Sequence, residues 1–263
     1  MSKTAIIGGG NLGSAIAKGL VYTKSSKPTD IHVTRRRAQM LDSLSNMGII
    51  TGSDNIKAVD NADIVFLAVK PFQIEDVIKQ ISSSVKKDAA IISLAAGVET
   101  KTLIEVSGLK NPVFRAMPNT AVAIGQSMTC ICSGNASEKQ LKHIESWFEK
   151  LGSVLIIPEE LMAGATVLAA CGIAFAMRFI RASTQGGIEI GFSSDLALKI
   201  ASQTVKGAAH LLISEEAHPE AEIDKVTTPR GITISGLNEM EYNGFSSSLI
   251  KGLLTSYKKI EQK

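Results

Sequence analysis

The sequence predicts an α/β domain over residues 1–160 followed by an all-helical domain over residues 161–263. In the first part, short β-branched segments alternate with capped or amphipathic helical segments, a pattern typical of a parallel sheet covered by helices. After Pro158 the strand pattern ends, and the remaining sequence, rich in Ala and Gly, indicates helices alone. We place the domain boundary at this change, near residue 160.

Each predicted element follows from this local pattern. Eight strands are predicted, at residues 4–7, 31–34, 48–51, 63–68, 89–94, 112–117, 127–132 and 153–156. Five helices are predicted between them, at residues 11–21, 36–46, 71–83, 100–107 and 137–151. Three more follow, from residue 159 to about 185, over residues 193–214, and from about residue 233 to the C-terminus.

Composition excludes several classes of protein. With 263 residues, 44% hydrophobic and 20% charged, the chain can bury a large core, which excludes disordered and collagen-like proteins. Lys and Arg number 28 against 25 Asp and Glu, and this net charge of +3 is too small and too evenly spread to indicate a surface for nucleic acid or an anionic membrane. We therefore expect neither nucleic acid nor a membrane as a partner.

The three cysteines and the absence of a signal-peptide pattern indicate a reduced, cytoplasmic protein without a disulfide framework. Cys130 and Cys132 share one face of a predicted strand, but no second pair of ligands completes a metal set, so we predict burial and no metal site. The uncharged residues 161–177 are at the short limit of the ~17–25 residues that a bilayer requires and are mostly small, which favours a helix buried against protein.

The helical part is expected to pair with a second copy of the chain. Small residues on long helices allow close approach between helices. A module that cannot cover such faces alone is expected to form a homodimer or a larger assembly.

The strongest chemical motif lies at the N-terminus. A predicted strand leads directly into Gly8-x-Gly10-x-x-Gly13, where a helix begins with Asn11 and Leu12. Gly8 allows a tight turn, Gly10 lets the backbone approach a pyrophosphate, and Gly13 lets the helix pack on the strand. Free N–H groups at the helix start then face the phosphates. This placement favours dinucleotide binding over a merely glycine-rich turn.

The end of the second predicted strand indicates which dinucleotide binds. Folds that prefer NAD place an acidic residue there for the ribose 2′-hydroxyl, whereas this chain has Thr34 followed by three arginines. A pair such as Arg35 and Arg36 suits a 2′-phosphate. The alternative, a solvated basic helix start, is disfavoured by the helix dipole. We therefore predict NADPH as cofactor, with weaker use of NADH.

Three further segments end predicted strands at the same sheet edge, where ligands collect in open parallel sheets. Each has a structural alternative: a first helical turn at Pro71, close strand packing at Ala95, and turn formation at Asn119 or Thr120. The segments are Ala68-Val69-Lys70-Pro71, Ser93-Leu94-Ala95-Ala96-Gly97-Val98 and Arg115-Ala116-Met117-Pro118-Asn119-Thr120.

One further motif lies in the helical part, within residues 224–241. A loop of hydroxyls and a glycine leads into a helix, with Thr228, Gly231, Ile232 and Thr233 at the junction. N–H groups, hydroxyls and the helix dipole all favour an anion, so the loop is a candidate carboxylate receptor. The alternative is ordinary helix capping by Thr228 or Thr233.

Taken together, these segments resemble the pyrroline-5-carboxylate reductases over essentially the whole chain. The most specific part is the block from Val226-Thr227-Thr228-Pro229 to Glu241, whereas the other motifs recur singly in related NADP-dependent reductases. Those other motifs are the N-terminal glycine motif, Val69-Lys70-Pro71, Ala95-Ala96-Gly97-Val98 and Arg115-x-Met117-Pro118-Asn119-Thr120.

The resemblance implies a Rossmann domain joined to a helical dimerisation domain, with dimers often gathered into a decamer. It implies NAD(P)H-dependent reduction of a cyclic imine to L-proline, the last step of proline biosynthesis. By position, it implies hydroxyl contacts from Thr228 and Thr233 to the substrate carboxylate, N–H groups from Gly231 and Ile232, and Glu216 facing the ring nitrogen. The implied cofactor contacts are Asn55, Ala68, Lys70 and Ala95.

The chain departs from the family pattern in two regions. Where the family has Ser-Gly-Ser-Gly-Pro-Ala-Tyr at a helix start, this chain has Ala169-Ala170-Cys171-Gly172-Ile173-Ala174-Phe175, and Ala163 stands at the position of a preceding aspartate. In the substrate loop Arg230 replaces the first of two glycines, and Ala121 replaces the proline that follows Asn119-Thr120. A guanidinium near a bound carboxylate attracts it.

The implied chemistry needs little acid–base machinery, because a protonated imine already attracts hydride and positioning supplies most of the acceleration. The four histidines fall in no recognisable motif, and we expect Thr233 to act as the catalytic residue by hydrogen bonding to the ring nitrogen. One alternative is a related NADPH-dependent reductase of another imine or a keto acid, which the lost serines favour. The other is a non-catalytic NADP-binding protein.

Overall fold

The computed structural model describes residues 2–108 and 110–262. Two compact units are present. The first comprises the residues up to Cys171 together with those from Tyr257 onward, and the second comprises Gly172–Ser256. Each unit is described by itself below.

The first unit is built on one eight-stranded sheet with the order β3-β2-β1-β4-β5-β6-β7-β8. The eight predicted strands are confirmed to within two residues at either end. They are β1 Thr4–Ile7, β2 Ile31–Thr34, β3 Ile50–Gly52, β4 Ile64–Leu67, β5 Ala90–Ser93, β6 Val113–Met117, β7 Ser127–Ser133 and β8 Gly152–Ile156.

The predicted parallel sheet contains one antiparallel pair of strands. Strand β7 runs antiparallel to β6, with Met117 opposite Cys130, while β8 is parallel to β7. Between β6 and β7 the chain forms only a short 3-10 turn, Thr120–Ile124. A parallel neighbour would require a crossover of a dozen or more residues, so this short connection dictates the reversal.

The helices of the first unit lie between the strands as predicted, with differences in detail. Residues 36–46, predicted as one helix, form a 3-10 turn Ala38–Leu41 followed by the short α2, and α3 was not predicted. Residues from 159 onward form a 3-10 turn Glu159–Leu161, the short α7 and a π-helical segment Thr166–Cys171. The α-helices are α1 Asn11–Tyr22, α2 Asp42–Ser45, α3 Asn55–Val59, α4 Ile74–Ile81, α5 Thr100–Ser107, α6 Glu138–Phe148 and α7 Met162–Ala165.

Successive residues of the inner strands pack on opposite sides of the sheet, as a period of two requires. Ile6 and Phe66 belong to one apolar layer, in which the Phe66 and Trp147 ring centroids are 5.1 Å apart. Ile7 and Leu67 belong to the other layer, beneath α4 and α5. Because both faces are covered, the ends of the strands are where polar groups meet ligands.

A buried ion pair fixes the segment that follows β8. Arg115 on β6 is 5% exposed, and its Nη1 donates to Oε1 of Glu159 at 2.7 Å. Thr100 at the start of α5 donates to the same carboxylate through its N–H, at 2.8 Å, and through its hydroxyl. Partial burial alone would raise the pKa of the Glu159 carboxyl, but the hydrogen bonds from Thr100 and Arg115 outweigh it and hold the pKa below its usual range.

The second unit consists of helices with little core of its own. It contains α8 Gly172–Glu189, α9 Ser194–Glu215, α10 Pro219–Lys225, α11 Ile232–Tyr242 and most of α12 Phe245–Glu261. Helices α8 and α9 approach closely, since a Cβ on Gly187 would lie 2.9 Å from the Cβ of Ala197. Among residues 172–256, all of which are described, only Thr184 and Ala197 are buried. The exposed apolar faces need cover from outside the chain.

One prediction in this unit is wrong, and one helix was not predicted. The last helix, expected to run unbroken from about residue 233, divides into α11 and α12, because Gly244 takes a positive φ of 78° that ends the helix. The C-terminal Lys263 lies outside the described residues. Helix α10, begun by Pro219 and capped by His218, was not predicted.

Among the described residues, one helical run, Glu159–Glu189, is long and apolar enough to cross a membrane, judged by length and composition alone. Only 11% of its most apolar stretch is buried within the chain. The expected burial against protein is therefore not supplied by this chain itself.

We expect Glu159→Gln to destabilise the first unit by about 2 kcal/mol at pH 7, because the buried Arg115 then lacks a charged partner. The folded pKa of Glu159 lies below its unfolded value of 4.5, so the contribution is complete above pH 4.5 and is lost as pH falls through the folded pKa. Urea denaturation at neutral and acidic pH measures the difference. Glu160→Gln, at the exposed neighbouring position, is the control; an equal loss in both variants would contradict the role of the ion pair.

Candidate functional site

The glycine loop between β1 and α1 is shaped by close backbone contacts. Gly8 has a φ of +108°, and a Cβ there would lie 2.4 Å from the Ala68 carbonyl oxygen. A Cβ on Gly13 would lie 2.2 Å from the Gly8 carbonyl oxygen, whereas a Cβ on Gly10 would meet no atom within 4 Å. Gly8 and Gly13 are therefore required by the fold, while the space at Gly10 is open to a ligand.

The start of α1 presents free N–H groups to this space. Gly10 is the N-cap of α1, and no side chain caps the helix. The first backbone N–H groups of a helix have no partner within the helix and carry partial positive charge. The loop is thus suited to a phosphate group.

A cavity of about 890 Å³ opens at the carboxyl ends of β1, β2, β4 and β5. Thirteen of the fifteen predicted cofactor residues line it: Gly8, Gly10, Asn11, Leu12, Thr34, Arg35, Arg36, Asn55, Ala68, Val69, Lys70, Pro71 and Ala95. Gly13 is buried behind the loop and does not line the cavity. The sequence prediction omitted eight further lining residues: Ile7, Gly9, Arg37, Met40, Gln73, Val77, Leu94 and Ala96.

Most of the omitted residues lie within about four residues of a predicted strand-end motif, so a wider window around each motif would have included them. Arg37 continues the arginine run, and Met40 lies in the 3-10 turn that follows it. Ala96 follows the predicted Ala95, and Gln73 follows Pro71 by two residues. Val77 is one helical turn further along α4, and no local signal distinguished it from a core residue.

Polar side chains inside the cavity are held in place by hydrogen bonds. The Thr34 hydroxyl donates to Oδ1 of Asn55 at 2.6 Å, and the Asn55 amide donates to Oε1 of Gln80 at 2.8 Å. Arg35 Nη1 donates to the Gly9 carbonyl at 3.2 Å, while Arg36 and Arg37 are exposed. The charged groups that line the cavity, Arg35, Arg36, Arg37 and Lys70, are all cationic, so the cavity attracts an anion.

The structure does not bring Asn119 to this cavity. Its Oδ1 accepts from the Ala121 N–H at 3.0 Å and caps the 3-10 turn Thr120–Ile124. Its amide donates to the Ala169 carbonyl at 3.3 Å, in the π-helical segment. Asn119 thus ties residues 166–171 to the sheet edge.

In the second unit, the predicted anion loop leads into α11. Gly231 is the N-cap, and its N–H donates to the Thr228 carbonyl at 2.8 Å, so this N–H is not free for a substrate carboxylate as the resemblance implied. No side chain caps the helix, so the alternative of capping by Thr228 or Thr233 is wrong and the N–H groups of Ile232 and Thr233 are left open. This end of α11 has the form of an anion receptor.

Two residues of this unit take backbone conformations that favour glycine. Arg230, which stands where the family pattern has glycine, has a φ of 61°, and Glu216, which ends α9, has a φ of 48°. Both side chains are exposed. Position 230 therefore adopts a left-handed conformation although the residue carries a Cβ.

The two buried cysteines are poorly suited to act as nucleophiles. Burial raises the pKa of the Cys132 thiol to about 11, with a smaller effect from the Glu159 carboxylate, and burial also raises the pKa of Cys130. Both thiols are packed with Met117 and Met162. Within the described ranges no three His, Cys, Asp or Glu side chains form a group able to hold a metal ion.

Two family models match the chain in sequence. The model described as pyrroline-5-carboxylate reductase dimerisation matches residues 159–263. The model described as NADP oxidoreductase, coenzyme F420-dependent, matches residues 3–97. The second match includes the glycine loop, the first includes the helical part of the chain, and residues 98–158 lie in neither.

Named relatives cover nearly the whole chain. Pyrroline-5-carboxylate reductase 2 of Dictyostelium discoideum is 40% identical over 97% of this chain and 91% of its own length. Pyrroline-5-carboxylate reductase 1 of the same organism is 44% identical over 96% of this chain, which spans only 48% of that longer protein. The pyrroline-5-carboxylate reductase of Aquifex aeolicus is 34% identical over 95% of this chain and 92% of its own length.

Solved structures agree with these relatives. The crystal structure of Plasmodium falciparum pyrroline carboxylate reductase with NADP bound superposes with a TM-score of 0.89 at 26% identity, covering 99% of this chain and 97% of that one. The pyrroline-5-carboxylate reductase of Coxiella burnetii superposes with a TM-score of 0.84 at 29% identity, covering 99% and 98%.

We expect alanine substitutions at two glycines of the loop to separate folding from ligand binding. Gly10→Ala should leave the melting temperature unchanged, because its Cβ meets open space, but should weaken NADPH binding at least about tenfold by filling the pyrophosphate site. Gly13→Ala should destabilise the unit by about 1–3 kcal/mol, because its Cβ meets a backbone oxygen. Calorimetric unfolding and NADPH titration measure both; unchanged NADPH affinity in Gly10→Ala would move the phosphate site elsewhere.

Proposed function

The chain belongs to the pyrroline-5-carboxylate reductase family, and we infer that it reduces 1-pyrroline-5-carboxylate to L-proline with a nicotinamide cofactor. The observation that carries this inference is the occurrence, in one chain, of an intact glycine loop and an uncapped threonine-rich helix start. The first suits a dinucleotide pyrophosphate and the second suits the carboxylate of the substrate.

The cavity fits a dinucleotide. The space at Gly10 would be filled by any Cβ, the helix start beside it is uncapped, and all charged lining groups are cationic. A nicotinamide cofactor bound there supplies the hydride. The chain's own contribution is to hold the phosphates at Gly10, Asn11 and Leu12.

We propose NADPH as the preferred cofactor. Arg36 and Arg37 are exposed at the cavity rim, and no acidic residue follows β2 to bind a ribose 2′-hydroxyl. Thr34 and Asn55, joined by a short hydrogen bond, are proposed to contact the adenosine ribose. Asn119 lies outside the cavity lining, so we propose that it acts indirectly, by capping the Thr120–Ile124 turn.

We propose that the substrate is held by α11 and its loop. The open N–H groups of Ile232 and Thr233 and the hydroxyl of Thr228 are proposed to bind the carboxylate. A Cβ on Gly231 would lie 2.6 Å from the Thr228 hydroxyl oxygen, so glycine at this position preserves the turn that presents these groups. Glu216 is proposed to face the ring nitrogen, where a carboxylate favours the protonated imine. The chain thereby orients an imine that already carries the charge attracting hydride, and it needs no strong base.

We propose that the chain works as a homodimer in the cytoplasm, with dimers assembled into a decamer. The exposed helical faces of the second unit and the matching dimerisation model support the dimer. We propose that the boundary between the cofactor-binding domain and the dimerisation domain lies near residue 160, where the dimerisation match begins. We propose a small molecule as substrate and neither nucleic acid nor a membrane as a partner.

A second function is favoured by one observation. Ala169 and Cys171 replace two serines of the family pattern within the π-helical segment, so two hydroxyls are missing. A related reductase acting on another imine or a keto acid would account for this change. A non-catalytic NADP-binding protein would bind NADPH without turnover.

We expect loss of NADPH absorbance on addition of 1-pyrroline-5-carboxylate, with L-proline identified by chromatography. Turnover should be more efficient with NADPH than with NADH, and the preference should shrink as salt rises, because the exposed arginines are screened. A panel of other cyclic imines and keto acids is run beside it. NADPH binding without turnover of the pyrroline would contradict the assignment, and faster turnover of another compound would support the second function.

We expect Thr233→Ala to lower kcat by roughly tenfold or more, because the ring nitrogen loses a hydrogen-bond partner in the transition state. Thr233→Ser, which keeps the hydroxyl, should recover most of the rate. Thr233 is exposed at a helix start, so neither change should alter the melting temperature. Equal rates for the Ala variant and the unmodified enzyme would remove Thr233 from the mechanism.

A further inference from the structure

The three arginines that follow β2 lie in different environments. Arg35 is half-buried, its N–H donates to the Gly52 carbonyl at 2.9 Å, and its Nη1 donates to the Gly9 carbonyl at 3.2 Å. Arg36 and Arg37 are exposed. The guanidinium of Arg35 is therefore engaged with the glycine loop, whereas those of its neighbours face solvent at the cavity rim.

Gly9, the acceptor of this hydrogen bond, is held from several sides. Its N–H donates to the Thr34 carbonyl at 2.7 Å, and the Ser14 hydroxyl donates to its carbonyl at 3.3 Å. A Cβ on Gly9 would lie 2.4 Å from Cδ2 of Leu41. Gly9 is thus hydrogen-bonded to Thr34 through its N–H and to Arg35 through its carbonyl.

The hydrogen bond from Arg35 also determines the orientation of one peptide plane. The Gly9 carbonyl and the Gly10 N–H belong to the same peptide unit. Its carbonyl accepts from Arg35, and its N–H donates to the Gly8 carbonyl at 2.8 Å. This plane leads directly into the N-cap of α1, where the pyrophosphate is proposed to bind.

We propose that Arg35 is a positioning residue for the pyrophosphate loop and that Arg36, with Arg37, determines specificity for the 2′-phosphate. This inference rests on the proposed use of a nicotinamide dinucleotide. It assigns different roles to arginines that the sequence alone does not distinguish. The pyrophosphate is common to NADH and NADPH, whereas the 2′-phosphate belongs to NADPH alone. Loss of the positioning role should therefore weaken binding of both dinucleotides, whereas loss of the specificity role should weaken binding of NADPH alone.

The experiment compares Arg35→Met with Arg36→Met in the full-length protein. Two probes without nicotinamide are titrated by calorimetry, ADP-ribose and its 2′-phosphate derivative. Arg35→Met should weaken both by the same factor, roughly tenfold for one charge-assisted hydrogen bond. Arg36→Met should weaken only the 2′-phosphate derivative. In steady-state assays, Arg35→Met should raise KM for NADPH and NADH equally and leave kcat unchanged.

Ser14→Ala is the second variant, because it removes the other donor to the Gly9 carbonyl and leaves every arginine in place. It should weaken both probes equally and by less than Arg35→Met. A loss confined to the 2′-phosphate derivative in Arg35→Met would make Arg35 a phosphate ligand and overturn the proposal, as would unchanged affinity for both probes. Failure of the unmodified chain to turn over the pyrroline would count against the proposed function alone, since the two probes bind without substrate.

Discussion

The approach of the Gly8 backbone to the Ala68 carbonyl is the constraint on which the cofactor edge depends. A Cβ at Gly8 would lie 2.4 Å from that oxygen. Only glycine at this position therefore allows the chain to turn tightly after β1 while β1 remains paired with β4. Strand order reverses between β1 and β4, and such a reversal opens a crevice at the carboxyl ends. The loop, the free start of α1 and the cationic lining all surround this crevice.

A second constraint acts on the chain that leaves the sheet. Glu159 accepts hydrogen bonds from Arg115 and Thr100, and ten residues later the Ala169 carbonyl accepts from Asn119. Asn119 lies four residues beyond Arg115, toward the carboxyl end of β6. Residues 159–169 therefore run along β6 in the same direction. Two polar attachments thus hold a segment that contains a π-helical turn, a form that regular helical hydrogen bonding alone does not favour.

Much of the first unit could be predicted from sequence, because strand periodicity and the spacing of Gly8, Gly10 and Gly13 are local signals. The reversal of β7 was missed, although the short connection after Met117 carried the information. The break at Gly244 was missed because apolar residues continue on both sides of it. Side-chain roles were harder to predict: whether Arg35 or Asn119 faces a ligand or the backbone depends on neighbours distant in sequence, which no motif specifies.

The sparse core of the second unit has a consequence for the cell. Only Thr184 and Ala197 are buried among residues 172–256, so in the proposed dimer association with another copy would stabilise this unit by mass action. The threonine-rich loop is part of that unit. In that dimer the order of the loop would depend on protein concentration, so the activity per molecule would fall on dilution.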